Sequence, residues 1–469
     1  MVESVASGEL LVELRRNSGV ALHQQLQAGI RDRIRDGRLR PGAALPSSRA
    51  LAADLGLSRG VVVEAYQQLV AEGYLISRTG GYTLVAPDAV GSARAVPADG
   101  LLPEAEQPPR IDFKYSRPDV SQFPRAAWLR SLRKVLTEAP HDRLAYLDGR
   151  GADELRLAMA DYLNRVRGTA ARPANLLICN GFAQGSRLVL QVLAAAGHRR
   201  LAVEDPSDWE LRGVAAAQGL EVVGVPVRDD GIDVGQLERS GADAVLVTAA
   251  HQFPTGVVTS AGVRAALVAW AVRRDAVIIE DDYDAEYRYD REPIGAIQGL
   301  APDQVVYAGT ASKTLAPGLR LGWLIVPARL VPAMAAAKLA DDRGSAALDQ
   351  LAFADFVSRG EFDRHLRRMR PRYRELRDTL VDALARELPE LRPSGISAGL
   401  HLTTSLPGDL DEKALAAAAF DRGLGVYPLG PYRMTAGPPG LVFGYGSLTA
   451  AAVPEGVALL AEAVAELRS

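Results

Sequence analysis

Apolar residues recur every four positions at Leu22, Leu26, Ile30 and Ile34, which places them on one face of a helix that Gly37 should end. Two shorter helical patterns follow in LPSSRALAADLGLSRGVVVEAYQQLVAEGYL. Ser47 or Ser48 can cap the first, Gly56 and Leu57 make the turn, and Ser58 caps the second. In that second helix Val62, Ala65, Tyr66 and Leu69 form the buried stripe, so its first turn, Ser58, Arg59 and Gly60, faces outward. Two short strand-like runs, 74–77 and Tyr82–Val85, are joined by Arg78, Thr79, Gly80 and Gly81, a tight turn that reads as a wing. The order predicts a winged helix-turn-helix over 12–86, whose second helix presents side chains to base edges and phosphates.

From 87 to 110 the chain is rich in Pro, Ala, Gly and acids and has neither a helical nor an alternating period, as expected of a linker. Beyond it, in 111–469, strands at Leu176–Cys179, 201–203, 244–248 and 277–280 alternate with helical stretches. That alternation predicts an α/β fold with a mainly parallel sheet flanked by helices.

Composition narrows the reading in two places only. A net charge of −3 over the whole chain carries no signal for a polyanionic partner, so any basic face must be local. Between Arg31 and Arg59 it is: Arg31, Arg33, Arg35, Arg38, Arg40, Arg49 and Arg59 stand against Asp32, Asp36 and Asp54, an arginine-weighted balance suited to neutralising phosphates. One cysteine, Cys179, excludes an internal disulfide framework and suits a reducing compartment. With no signal-peptide pattern and no charge-free apolar run near 18 residues, the expectation is a soluble cytoplasmic protein without a membrane span.

The run VIIEDDYDAEY begins as a buried apolar strand and ends in carboxylates, which is how an α/β fold brings charge to the carboxyl edge of its sheet. About 30 residues on, GTASKTLAPGLRLGW supplies the hydroxyls of Thr310 and Ser312, the amine of Lys313 and the planar cation of Arg320. Asp281, Tyr283, Lys313 and Arg320 together match what pyridoxal 5′-phosphate requires: an amine for its carbonyl carbon, an acid for its pyridine nitrogen, a phenol for its ring oxygen, and an arginine with hydroxyls for its phosphate. In CNGFAQGSRLVL a strand gives way to a helix, so the backbone amides of Gly181, Phe182 and Ala183 can bind phosphate at a helix N-terminus. No metal site is expected.

Residues 20–86 resemble the winged-helix domain of the GntR family, whose pattern is matched by 46–59, 65–73 and 80–85. The resemblance places Arg49, Ser58, Arg59 and Gly80 at DNA-contacting positions, with Gly60 where the family often has a hydroxyl. Residues 112–468 resemble fold-type I aminotransferases, which implies a large mixed, mainly parallel sheet and a smaller C-terminal α+β subdomain. By that likeness Lys313 should bond covalently to the cofactor, Asp281 should meet the pyridine nitrogen and Tyr283 the ring oxygen. Arg320, Thr310 and Ser312 should hold the phosphate, and Tyr146 should reach the phosphate of a neighbouring subunit in a homodimer.

Three departures bear on function. Asp208 stands where the family often has a ring-covering tyrosine, leaving Trp209 or Phe182 to stack; Phe253 replaces an asparagine; Gly440 stands where aminotransferases carry a carboxylate-gripping arginine, with Arg433 the nearest substitute. The full architecture resembles the MocR subfamily of bacterial transcription regulators. It implies a homodimer on a double-stranded DNA operator, responsive to pyridoxal phosphate itself or to an amine effector, the latter through Arg433 where the effector is an amino acid. Two other readings stay open: a working aminotransferase with an appended DNA-binding domain, and a repressor whose large domain only dimerises.

Overall fold

The computed structural model describes residues 14–78, 82–89, 108–289, 294–395 and 398–469, with the Arg78 side chain excepted. The chain separates into two compact units, Met1–Gln107 and Pro108–Ser469. Most of the expected linker, and Gly80 with the wing turn, lie outside the described residues.

In the first unit, helix Leu22–Arg35 packs Leu26, Ile30 and Ile34 against Val62, Ala65 and Leu69 of helix Arg59–Ala71. Helix Ser48–Asp54 is capped by Ser47, whose hydroxyl accepts from Ala50 N at 3.2 Å. Strands Ala44–Leu45, Tyr82–Val85 and Leu75–Arg78 form a three-stranded antiparallel sheet in that order. Ser58 occupies the N-cap position of helix Arg59–Ala71 but makes no side-chain cap bond, contrary to its expected capping role. Its hydroxyl is therefore left for other partners.

The second unit is built on an eight-stranded sheet in the order Leu176–Cys179, Gly322–Ile325, Val305–Thr310, Val277–Asp282, Ala244–Val247, Arg200–Asp205, Glu221–Arg228, Gly231–Ile232. Near-continuous apolar stretches such as LLIC, AVLV and GWLI are buried on both faces, as a helix-covered parallel sheet demands. Gly322–Ile325 runs antiparallel to both neighbours. It therefore enters the sheet from the edge at which Val305–Thr310 leaves it, and the connection 311–321 stays on that edge. A smaller four-stranded antiparallel sheet, Pro393–Ser394, His401–Ser405, Gly440–Gly444 and Tyr427–Pro428, with helices Glu361–Glu387, Glu412–Asp421 and Ala452–Arg468, makes the α+β subdomain. Among the described residues, no helix is long and apolar enough to cross a membrane.

Candidate functional site

The carboxyl ends of the parallel strands open on a cavity of about 250 Å³ whose wall brings together Phe182, Ala183, Asp281, Tyr283, Thr310, Ser312, Lys313 and Arg320. The strand expected at 277–280 continues to Asp282, and its alternation assigns the two acids to opposite faces. Asp282 points into the protein, where it takes two bonds from the fully buried Arg167 guanidinium, at 2.7 and 3.1 Å, and one from Tyr307 Oη at 2.7 Å. Asp281 lines the cavity. Its Oδ1 is shielded from solvent and has no hydrogen-bond partner. Burial, reinforced by Asp282 and Asp208, pushes the Asp281 carboxyl well above the usual carboxylate range, and Lys313 opposes that shift. An orphaned buried acid of this kind calls for a donor, which a pyridinium N–H supplies.

Lys313 Nζ donates to Ser116 O at 2.9 Å. Burial lowers its pKa below the usual lysine value while Asp281, Asp284 and Asp208 hold it up, so the amine is closer to its nucleophilic neutral form than an exposed lysine. Tyr283 Oη donates to His251 O at 3.0 Å, and burial raises its phenol well above the ordinary value, keeping it protonated.

At the other end, helix Phe182–Ala195 begins at Gly181, whose φ is +78°. A Cβ on Gly181 would stand 2.7 Å from Arg320 Nη2, so only glycine lets the guanidinium lie against this turn. Arg320 Nη2 donates to Asn180 O at 2.6 Å, and Thr310 Oγ1 to Ser312 Oγ at 3.0 Å. Two hydroxyls, a guanidinium and a helix N-terminus thus converge as a phosphate demands.

Other expected residues fall elsewhere. Tyr146 is 89% exposed and lies off this cavity. Trp209, at the start of helix Trp209–Ala217, is half exposed and also off the wall, so of the two expected stacking residues Phe182 is the one that lines the cavity. Arg433 is turned into its own loop, where Nη2 donates to Pro438 O at 3.1 Å and the guanidinium packs against Gly437. It is therefore not on the cavity wall. Beyond Gly440 the same strand buries Val442 in an apolar cluster with Phe253, Tyr283, Leu429 and Tyr432.

Several cavity residues carried no sequence signal. Ser116 holds Lys313, and Glu204, Ser207 and Thr248 line the wall. Glu204 accepts from Thr248 Oγ1 at 2.6 Å and Gln252 Nε2 at 3.2 Å, and burial pushes its carboxyl up to about 7. Behind Tyr283, His251 Nδ1 lies 3.0 Å from Asp284 Oδ2, and His401 Nε2 lies 3.2 Å from Pro254 O. Their ring contact at 4.8 Å closes a buried polar cluster under the phenol.

In the first unit Arg49 and Arg59 line one shallow groove with Ser47, Ser48, Gln67 and Thr83, between the two short helices and the wing strands. Ser58, Arg59 and Gly60 are all exposed. Not every arginine of the basic stretch is free: Arg31 pairs with Glu72 at 2.6 Å and Arg35 donates to Tyr74 Oη at 2.8 Å.

The family pattern for aminotransferase class I and II matches residues 114–451, and that for bacterial regulatory proteins of the gntR family matches residues 22–85. The probable rhizopine catabolism regulatory protein MocR of Rhizobium meliloti is 32% identical over 478 residues, which span 98% of this chain and 97% of that protein. The chain belongs to the MocR family of GntR-type transcription regulators. This MocR-family chain is also 33% identical over 452 residues to the pyridoxine biosynthesis regulator PdxR of Corynebacterium glutamicum, across 94% of this chain and 95% of PdxR. Among solved structures, an archaeal alanine:glyoxylate aminotransferase is 26% identical, with a TM-score of 0.70 over 76% of this chain and 91% of its own. The α-aminoadipate aminotransferase LysN of Thermus thermophilus, solved with N-(5′-phosphopyridoxyl)-L-leucine, is 25% identical, with a TM-score of 0.69 over 76% and 92%.

Proposed function

We propose that this MocR-family protein is a cytoplasmic, homodimeric transcription regulator in which the 111–469 region binds pyridoxal phosphate and thereby alters operator binding by the 12–86 region. The observation that carries the reading is the unpartnered Oδ1 of Asp281 in the cavity that also holds Lys313 and the phosphate-suited group around Arg320. When bound, pyridoxal phosphate supplies an electrophilic carbon to amines and an electron-withdrawing ring behind it. The chain's own part is to hold the ring nitrogen at Asp281, the phosphate at Gly181–Ala183, Thr310, Ser312 and Arg320, and to present Lys313 as the amine. A ligand shifts the regulator only by binding its DNA-competent and incompetent arrangements unequally. Support for a dimer comes from the exposed apolar side chains Leu129, Leu136, Leu144, Tyr146 and Leu157, all within one stretch of the large unit.

The alternative, an aminotransferase carrying a DNA-binding region, is favoured by Lys313 and Asp281 and disfavoured by Phe253 and by Arg433, which folds onto its own loop and does not line the cavity. The deciding experiment is an absorbance titration of the purified chain with pyridoxal phosphate, run beside a gel shift on its own upstream intergenic DNA. A new absorbance band accompanied by an altered shift is the expected result. A band with repeated amine turnover and an unaltered shift would overturn the regulator reading.

Arg59→Ala is expected to weaken operator binding by about 1–3 kcal/mol while leaving the cofactor band unchanged. Equal gel-shift affinities for the two proteins would remove Arg59 from the DNA-reading surface.

A further inference from the structure

Behind Tyr283 lies a buried acid–imidazole pair to which no role has yet been given. His251, in the loop after strand Ala244–Val247, and Asp284, two residues past the end of strand Val277–Asp282, are 3% and 1% exposed. His251 Nδ1 stands 3.0 and 3.3 Å from the two Asp284 oxygens, and among the described residues it is the side-chain donor to that carboxylate. The same nitrogen lies 3.4 Å from Tyr283 Oη, whose hydroxyl donates to His251 O at 3.0 Å. Gly399, at φ +70°, covers the pair just before strand His401–Ser405. A Cβ there would overlap both the His251 ring and Asp284 Oδ2, so only glycine lets the backbone close over them. An ionised carboxylate can only accept, so the proton of the His251–Asp284 contact belongs to Nδ1. That nitrogen then cannot accept from Tyr283, and the phenol proton is left to His251 O or to an oxygen that a ligand brings within reach. Asp281, Glu204 and Lys313 face this group from the cavity, and His401, Tyr289 and Tyr445 from behind. Burial, with His251 beside it, holds His401 well below the usual imidazole value, so its ring brings no positive charge to Asp284.

Resting on the reading of the cavity as a pyridoxal phosphate site, we infer that His251 and Asp284 are positioning residues for Tyr283: the carboxylate fixes the proton on the imidazole, and the imidazole thereby commits the phenol to donate to the cofactor's ring oxygen. A phenol donating there stabilises the anionic form of that oxygen and weakens its hold on the proton it shares with the Lys313 nitrogen. The pair thus sets the pH at which the long-wavelength band changes, without touching the cofactor.

The test is an absorbance pH titration of the full chain loaded with pyridoxal phosphate, read as the midpoint of the band, which does not depend on how much cofactor is bound. Tyr283→Phe should raise the midpoint, and His251→Leu should move it the same way by at least about half a pH unit, about threefold in proton affinity. In the Tyr283→Phe chain, His251→Leu should add less than about 0.2 unit, because its effect runs through the phenol. His251→Asn, whose amide N–H can replace Nδ1–H, should keep the parent midpoint. Asp284→Asn, nearly unchanged in size, repeats the cycle where leucine is not tolerated, and its shift should differ by at least about half a unit with and without the Tyr283 phenol. An unmoved midpoint in His251→Leu, the same shift with and without the phenol in either cycle, or equal effects of His251→Leu and His251→Asn would overturn the inference alone. Failure of the chain to take up pyridoxal phosphate would overturn the cavity reading and this inference with it.

Discussion

Arg167→Ala is expected to destabilise the large unit by about 3–5 kcal/mol, among the largest losses any single substitution in this chain should produce. The guanidinium is fully buried, makes two bonds to Asp282 at 2.7 and 3.1 Å, and bonds to the backbone of Ile294. Its removal leaves the Asp282 carboxylate in the interior with Tyr307 as its one side-chain donor among the described residues. Chemical unfolding of the two proteins, compared by midpoint at equal slope, measures the loss. Replacing Arg167 and Asp282 together by apolar residues of similar volume should recover much of it, because no charge is then left alone. A single-variant loss below about 1 kcal/mol would mean that Asp282 takes up a proton or water at little cost.

Lys313→Ala should abolish the long-wavelength absorbance band formed with pyridoxal phosphate. Non-covalent binding through Asp281 and the Arg320 group should persist at lower affinity. Operator affinity without ligand should stay within about twofold of the parent, since the residue lies outside the 12–86 region, and the response of that affinity to pyridoxal phosphate should disappear. Absorbance and gel shift on the same preparations read the two effects separately. A band that survives the substitution would assign the covalent contact to another amine.

What the sequence made legible were features that local rules determine. The buried stripe Val62, Ala65, Tyr66 and Leu69, the alternating strands and helices, and the helix opened by Gly181 follow from periodicity and turn chemistry, and the structure has all of them. Asp281, Tyr283, Lys313 and Arg320 come to one cavity because strands of a parallel sheet end on the same edge. Less accessible was anything decided by distant packing. No local rule brings Ser116 O to Lys313, separated by 197 positions, or sets His401 against His251. The direction of Arg433 depends on whether its own loop offers a carbonyl, and Pro438 does. Adjacent Asp281 and Asp282 look alike in the sequence; only the extension of the strand through both separates a cavity acid from a core ion pair.

The reversed strand Gly322–Ile325 has a mechanical consequence. Ser312, Lys313 and Arg320 sit on a single short connection whose two ends are fixed by direct ladder pairing between Val305–Thr310 and Gly322–Ile325. Lys313 and Arg320 therefore share one connection anchored at both ends and are expected to shift little against each other. Ligand-linked motion is therefore expected on the facing part of the cavity wall, in the segment carrying Tyr115 and Ser116. In hydrogen exchange, amides of that wall should change protection when ligand binds while those of 306–310 and 322–325 stay constant.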